Sequence, residues 1–162
     1  MIAQSLLPEL DLEIANTRKL LERIPFEHAD WRPHPRSYTL GDLATHVGNL
    51  FNWVVMTIEQ EEFDTAAPFQ RPTFTSTEEL LARFDTTAAK ARAALAGASD
   101  ETLMAKWTLR HGEHVVFTLP RVAVLRTACM NHLIHHRGQL TVYLRLKDVP
   151  LPSIYGPTAD EH

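Results

Sequence analysis

Asn131-His132-Leu133-Ile134-His135-His136-Arg137-Gly138-Gln139 packs three histidines into five positions. The chain has nine His in 162 residues, so a five-residue window should hold only about a third of one. His132 and His136 are spaced i, i+4, which on an α-helix stacks two imidazoles on one face, one turn apart. His135 sits about 100° round the helix from His136 and is expected on the surface or behind the pair. Val122, Leu125, Cys129, Leu133, Leu140 and Tyr143 recur at helical spacing around the run, so the stretch reads as the middle of a half-buried helix over 121–147. Pro120 stands near its N-terminus, where a helix tolerates proline. A histidine pair turned toward a protein interior is what a divalent ion needs from a single helix.

Three more segments share the helical period. Over 5–24, Leu6, Leu10, Ile14, Leu20, Leu21 and Ile24 form the inward stripe, with Glu9, Glu13, Arg18 and Lys19 off it; Pro8 fits if it lies in the first turn. Over 40–61, Thr39 is the cap, Asp42 completes a capping box, and Leu40, Leu43, Val47, Leu50, Val54 and Ile58 face inward. Over 77–96, Ser76 and Glu79 mark the start and Gly97 the stop, with Leu80, Leu81, Phe84, Ala88, Ala91 and Leu95 inward. Pro25, Pro33 and Pro35 make 25–37 a connection, and Pro68 and Pro72 do the same for 62–75. Residues 106–119 read as two short strands about a Gly112 turn, and 148–162 as a tail without helical period. The chain is therefore expected to be all-α: one domain over 1–162, a four-helix bundle with long connections and a small β-hairpin before the last helix.

Composition narrows the function. Apolar content of 44% and charged content of 22% are ordinary for a globular protein. A net charge of −4 without a basic block argues against nucleic acid as a partner. The single Cys129 excludes an internal disulfide and suits a reducing compartment. The N-terminus lacks the charged and apolar regions of a signal peptide, and no run approaches a membrane span, so a cytoplasmic location is expected.

The pair on the last helix needs a third ligand. His46 lies beside the Leu43, Val47, Leu50 stripe and should point inward; Asp42, Asn49 and Gln139 stand ready to orient the rings through their free N–H groups. A lone inward histidine is ordinarily a hydrogen-bonded core residue, and it is the combination of His46, His132 and His136 that points to one divalent metal ion per chain. Three protein ligands leave positions for water or substrate. Imidazole suits zinc, nickel, copper and iron alike. Leu133 occupies the place where a zincin carries its glutamate, so that mechanism is excluded. His111 and His114 are expected on opposite faces of a strand, and Cys129 as an unreactive core thiol. Arg137 and Arg145 are read as solvated. Trp53 and Met56 lie off the main stripe.

Four stretches together resemble the DinB family, within the broader DinB/YfiT-like superfamily: Trp31-x-Pro33-x-Pro35-x-Ser37, Leu43-Ala44-Thr45-His46, His132-Leu133-Ile134-His135-His136-Arg137-Gly138-Gln139-Leu140, and Tyr155-Gly156-Pro157-Thr158-Ala159-Asp160-Glu161. The resemblance implies a four-helix bundle in which His46, His132 and His136 bind one zinc or nickel ion, and a homodimer. It also implies chemistry on a small-molecule substrate with a low-molecular-weight thiol. The expected function is a metal-dependent enzyme that activates a thiol or water for attack on a small electrophile, a transferase in the first case and a hydrolase in the second. A non-catalytic metal- or thiol-binding module is the alternative. No residue is assigned as a general base.

Overall fold

The computed structural model describes residues 1–68 and 72–162, so the middle of the 62–75 connection lies outside the described residues. Its elements are α1 (Ile2–Leu21), α2 (Leu40–Asn49), α3 (Asn52–Glu59), β1 (Glu62–Asp64), α4 (Thr77–Gly97), α5 (Asp100–Met104), β2 (Lys106–His111), β3 (His114–Pro120), α6 (Arg121–Val124), a π-helical segment over Leu125–Asn131, and α7 (His132–Arg145). Four helical arms make the bundle: α1, α2 with α3, α4, and the run from α6 to α7. α4 packs against α1, α2 and α3, and α2 also packs against α7. One core cluster joins them, with Leu10, Leu20, Leu40, Val47, Leu80, Phe84, Leu125, Leu133 and Leu140 enclosed.

The starts of the arms follow their caps. The Asp42 amide donates to Thr39 Oγ1 at 3.0 Å and the Glu79 amide to Ser76 Oγ at 3.2 Å. α2 passes α4 at Gly48, where an added Cβ would meet Leu80 Cδ1 at 2.7 Å, so a larger residue there would make the buried Leu80 side chain shift. At Gly112 the hairpin turns through φ +59, a glycine conformation.

Three features depart from the expected layout. The second helix breaks at Leu50–Phe51, where Trp53 N–H reaches Leu50 O and Val54 N–H reaches Phe51 O, three-residue bonds in place of four. The buried Phe51 ring meets Phe84 edge-on at 5.7 Å there, a tertiary contact that no proline or glycine announces. Pro8 falls in the second turn of α1, not the first, so the Gln4 carbonyl loses its helical donor. The hairpin gains a third strand: β1 pairs in parallel with β2, Phe63 opposite Leu109, giving the order β1-β2-β3. Arg121 ties sheet to bundle, donating to Thr57 O at 2.8 Å, Gln60 O at 3.0 Å and Lys106 O at 3.2 Å. Two of those carbonyls end α3, where a cation also meets the negative end of the helix dipole. Among the described residues, no helix is long and apolar enough to cross a membrane.

Candidate metal site

The π-helical segment ends at His132, and this local widening sets the first ring. The His132 N–H bonds Cys129 O, three residues back. The Ala128 carbonyl, which a regular α-helix would pair with that N–H, instead faces His132 Nδ1 at 3.2 Å. A carbonyl only accepts, so Nδ1 carries the proton and Nε2 is left bare. One turn on, His136 Nδ1 lies 2.7 Å from Gln139 Oε1, and the same reasoning leaves its Nε2 bare. Outer partners of this kind fix the tautomer and ring angle of metal-binding histidines.

His46 arrives from α2, which packs against α7. Its Nε2 lies 3.3 Å from His132 Nε2. Ring centroids are 5.1 Å apart for His46 and His132, 4.5 Å for His46 and His136, and 4.7 Å for His132 and His136. One nitrogen from each ring falls within 4.8 Å of the others, and all three residues are half-buried. Zinc bonds of about 2.0–2.1 Å at the tetrahedral angle separate ligand nitrogens by about 3.3–3.4 Å. The 3.3 Å spacing of His46 and His132 therefore fits an ion between them. Burial lowers the pKa of His132 and of His136 from the ordinary histidine value, against the opposing pull of Ala128 O and Gln139. The net lowering suits a ligand, which must be neutral to bind.

The family model for the DinB superfamily matches residues 9–140, a span that holds all three histidines. The chain belongs to the DinB superfamily. A DinB-like protein from Bacillus subtilis shares 23% identity over 98% of this chain and 99% of that one, with a TM-score of 0.69. A DinB-like protein from Bacillus cereus shares 22% identity over 94% of this chain and 97% of that one, with a TM-score of 0.73. Likeness at that identity speaks for the fold. No functionally curated protein matches by sequence.

In this DinB-superfamily chain the three expected histidines do converge, and Gln139 orients one ring as expected. The Asn49 amide donates to Thr45 O at 2.9 Å. Arg145 is exposed and paired with Asp160, but Arg137 is not solvated: its side chain is 2% exposed and faces Glu13. Glu13 likewise lies inside, not off the α1 stripe. His111 and His114 are register partners flanking a two-residue turn, so they share a face of the hairpin; spacing of three across a turn is not spacing along one strand. Trp53 is half-buried against Phe63 and Trp107, with ring centroids 5.4 Å and 6.2 Å away. Cys129 is buried, and enclosure pushes its thiol up to about 12. Sequence reasoning missed the Ala128 carbonyl, since nothing in Leu125–Asn131 signals a π turn. It also missed Tyr38, whose ring lies against both His46 and His136.

Proposed function

We propose that His46, His132 and His136 hold one divalent ion, zinc or nickel, and that the loaded site activates a low-molecular-weight thiol for transfer to a small electrophile. One observation carries this reading: two bare Nε2 atoms on α7, their Nδ1 protons held by Ala128 O and Gln139 Oε1, face an imidazole from α2. Bound there, a divalent ion would supply the Lewis acidity that lowers the pKa of a thiol or of water. The residues fit such an ion in number and kind. Three neutral imidazoles leave its charge uncompensated, and the cluster found among the described residues contains no carboxylate and no thiol. That donor set favours a further partner that arrives as an anion, and a thiolate answers this at neutral pH once its proton is lost. Membership in the superfamily supports thiol transfer over hydrolysis.

The test begins with elemental analysis of protein purified without a histidine tag, where one zinc or nickel per chain is expected. The loaded protein is then incubated with several thiols and a chromogenic aryl halide. The thiolate sulfur should bond to the ring carbon as halide leaves, faster than without protein, and not with His136→Ala. Consumption of the electrophile without any thiol would make the protein a hydrolase. Stoichiometric metal without turnover of any electrophile would make it a binding module.

A further inference from the structure

We propose that Tyr38 selects the ligand of the metal site: its ring forms an aromatic wall on the His46–His136 side, and the ligand is an anion whose organic body packs against that wall. The inference rests on the metal reading above and deepens it. Tyr38 immediately precedes Thr39, the cap of α2. Its ring stacks on His46 with centroids 6.0 Å apart and planes 21° apart, and meets His136 edge-on at 6.4 Å. Its backbone is anchored. The Tyr38 carbonyl accepts from the Tyr143 hydroxyl at 3.2 Å, and the Tyr143 ring is braced edge-on by Trp31 at 5.8 Å.

The residue stays 39% exposed. An isolated exposed aromatic is unremarkable on a protein surface. This one is held by its backbone and placed against two of the three rings that would bear the ion. The two surfaces differ in chemistry. The triad offers nitrogen donors, which draw the charged atom of a ligand. Tyr38 offers an apolar, polarisable face, which favours carbon and sulfur. A bare inorganic anion uses only the first surface, whereas an organic thiolate uses both. The contribution needs the ring and not the hydroxyl, so phenylalanine should replace tyrosine and alanine should not.

The experiment uses tag-free protein loaded with Co²⁺, whose visible absorption reports each added ligand without any turnover. Benzyl mercaptan is the organic probe and azide the inorganic one. Tyr38→Ala should weaken benzyl mercaptan about tenfold, the scale of one aromatic contact, and azide by less than about twofold. Tyr38→Phe should match the unaltered protein for both. Unchanged thiol affinity in Tyr38→Ala would overturn the proposal. So would equal weakening of thiol and azide, which would reduce the ring to a prop for His46. Failure of the unaltered protein to take up Co²⁺ would overturn the metal reading and this proposal with it, while Co²⁺ uptake with indifferent variants overturns this proposal alone.

Discussion

Arg137 Nη2 lies 2.6 Å from Glu13 Oε2, with the two side chains only 2% and 4% exposed. This is an ion pair without an aligned hydrogen bond to that oxygen. The guanidinium protons go elsewhere: to Thr17 Oγ1 at 3.0 Å, to the Glu13 carbonyl at 3.3 Å, and to the Tyr155 hydroxyl at 2.6 Å. Tyr155 donates in turn to Glu13 Oε1 at 2.5 Å. Burial and the Glu13 acceptor raise the pKa of Tyr155, so the phenol keeps the proton it donates. The pair thus joins α1, α7 and the C-terminal tail, one residue from His136.

Removing one member should be costly. Arg137→Met strands a buried carboxylate and is expected to lower unfolding free energy by about 3–5 kcal/mol in urea melts. Glu13→Leu combined with Arg137→Met should recover most of that loss, because neither charge is then left enclosed. A double variant no more stable than the single would contradict the account.

The helix face assigned to the metal can be checked with two neighbouring alanines. His136→Ala should abolish tight binding of zinc, since it removes a ligand with a bare Nε2. His135→Ala should leave affinity within about threefold, because its ring is exposed and meets His136 edge-on. Competition against a chromogenic chelator measures both, and equal losses would show that the wrong face was chosen. Both variants should keep the circular dichroism of the parent, as neither ring belongs to the apolar core.

The metal-free protein should stay helical, because the core is closed by apolar side chains without any contribution from the triad. Its stability should nevertheless depend on pH. Burial depresses the folded-state pKa of His132 and His136 below the ordinary 6.5, so the unfolded chain takes up protons first. Melting temperature in chelator should be level above pH of about 7 and fall as pH drops through 6.5 toward the folded values. Replacing both histidines by Gln should flatten that window. Rising stability over the same descent would refute the sign.

Cys129 should be inert. Burial pushes its thiol up to about 12, so little thiolate forms at pH 8, and enclosure blocks the reagent as well. Iodoacetamide should leave the native protein unmodified by mass spectrometry over hours and label it fully in guanidinium chloride. Rapid native labelling would mean that the π-helical segment opens readily.

The homodimer, proposed from the superfamily resemblance, should sediment at twice 18.4 kDa at tens of micromolar. Trp53 is a poor candidate for its interface, being already packed against Phe63 and Trp107. Val142 on α7 and Leu146 at its C-cap, both more than half exposed, are better placed. A monomer at that concentration would dispose of the proposal.

What the sequence determined by itself is local. Thr39 with Asp42, and Ser76 with Glu79, start α2 and α4 because a side-chain oxygen three residues back meets an orphan amide wherever the chain folds. Gly112 turns the hairpin because only glycine visits that φ cheaply. The i, i+4 spacing puts His132 and His136 on one face because helix geometry is fixed. Even the buried pair left a trace: Leu6, Leu10, Glu13, Thr17 and Leu20 form one stripe, and Leu133, Arg137, Leu140 and Leu144 another, each carrying one charge on an otherwise mostly apolar row. Reading Glu13 as off the stripe and Arg137 as solvated overlooked that opposite charges on two inward stripes can neutralise one another. Tertiary structure alone decided the rest. The break at Phe51, the third strand β1, and the approach of His46 to His132 depend on which distant segments meet and at what height. Such meetings are set by the packing of a whole core, and no window of sequence contains both partners.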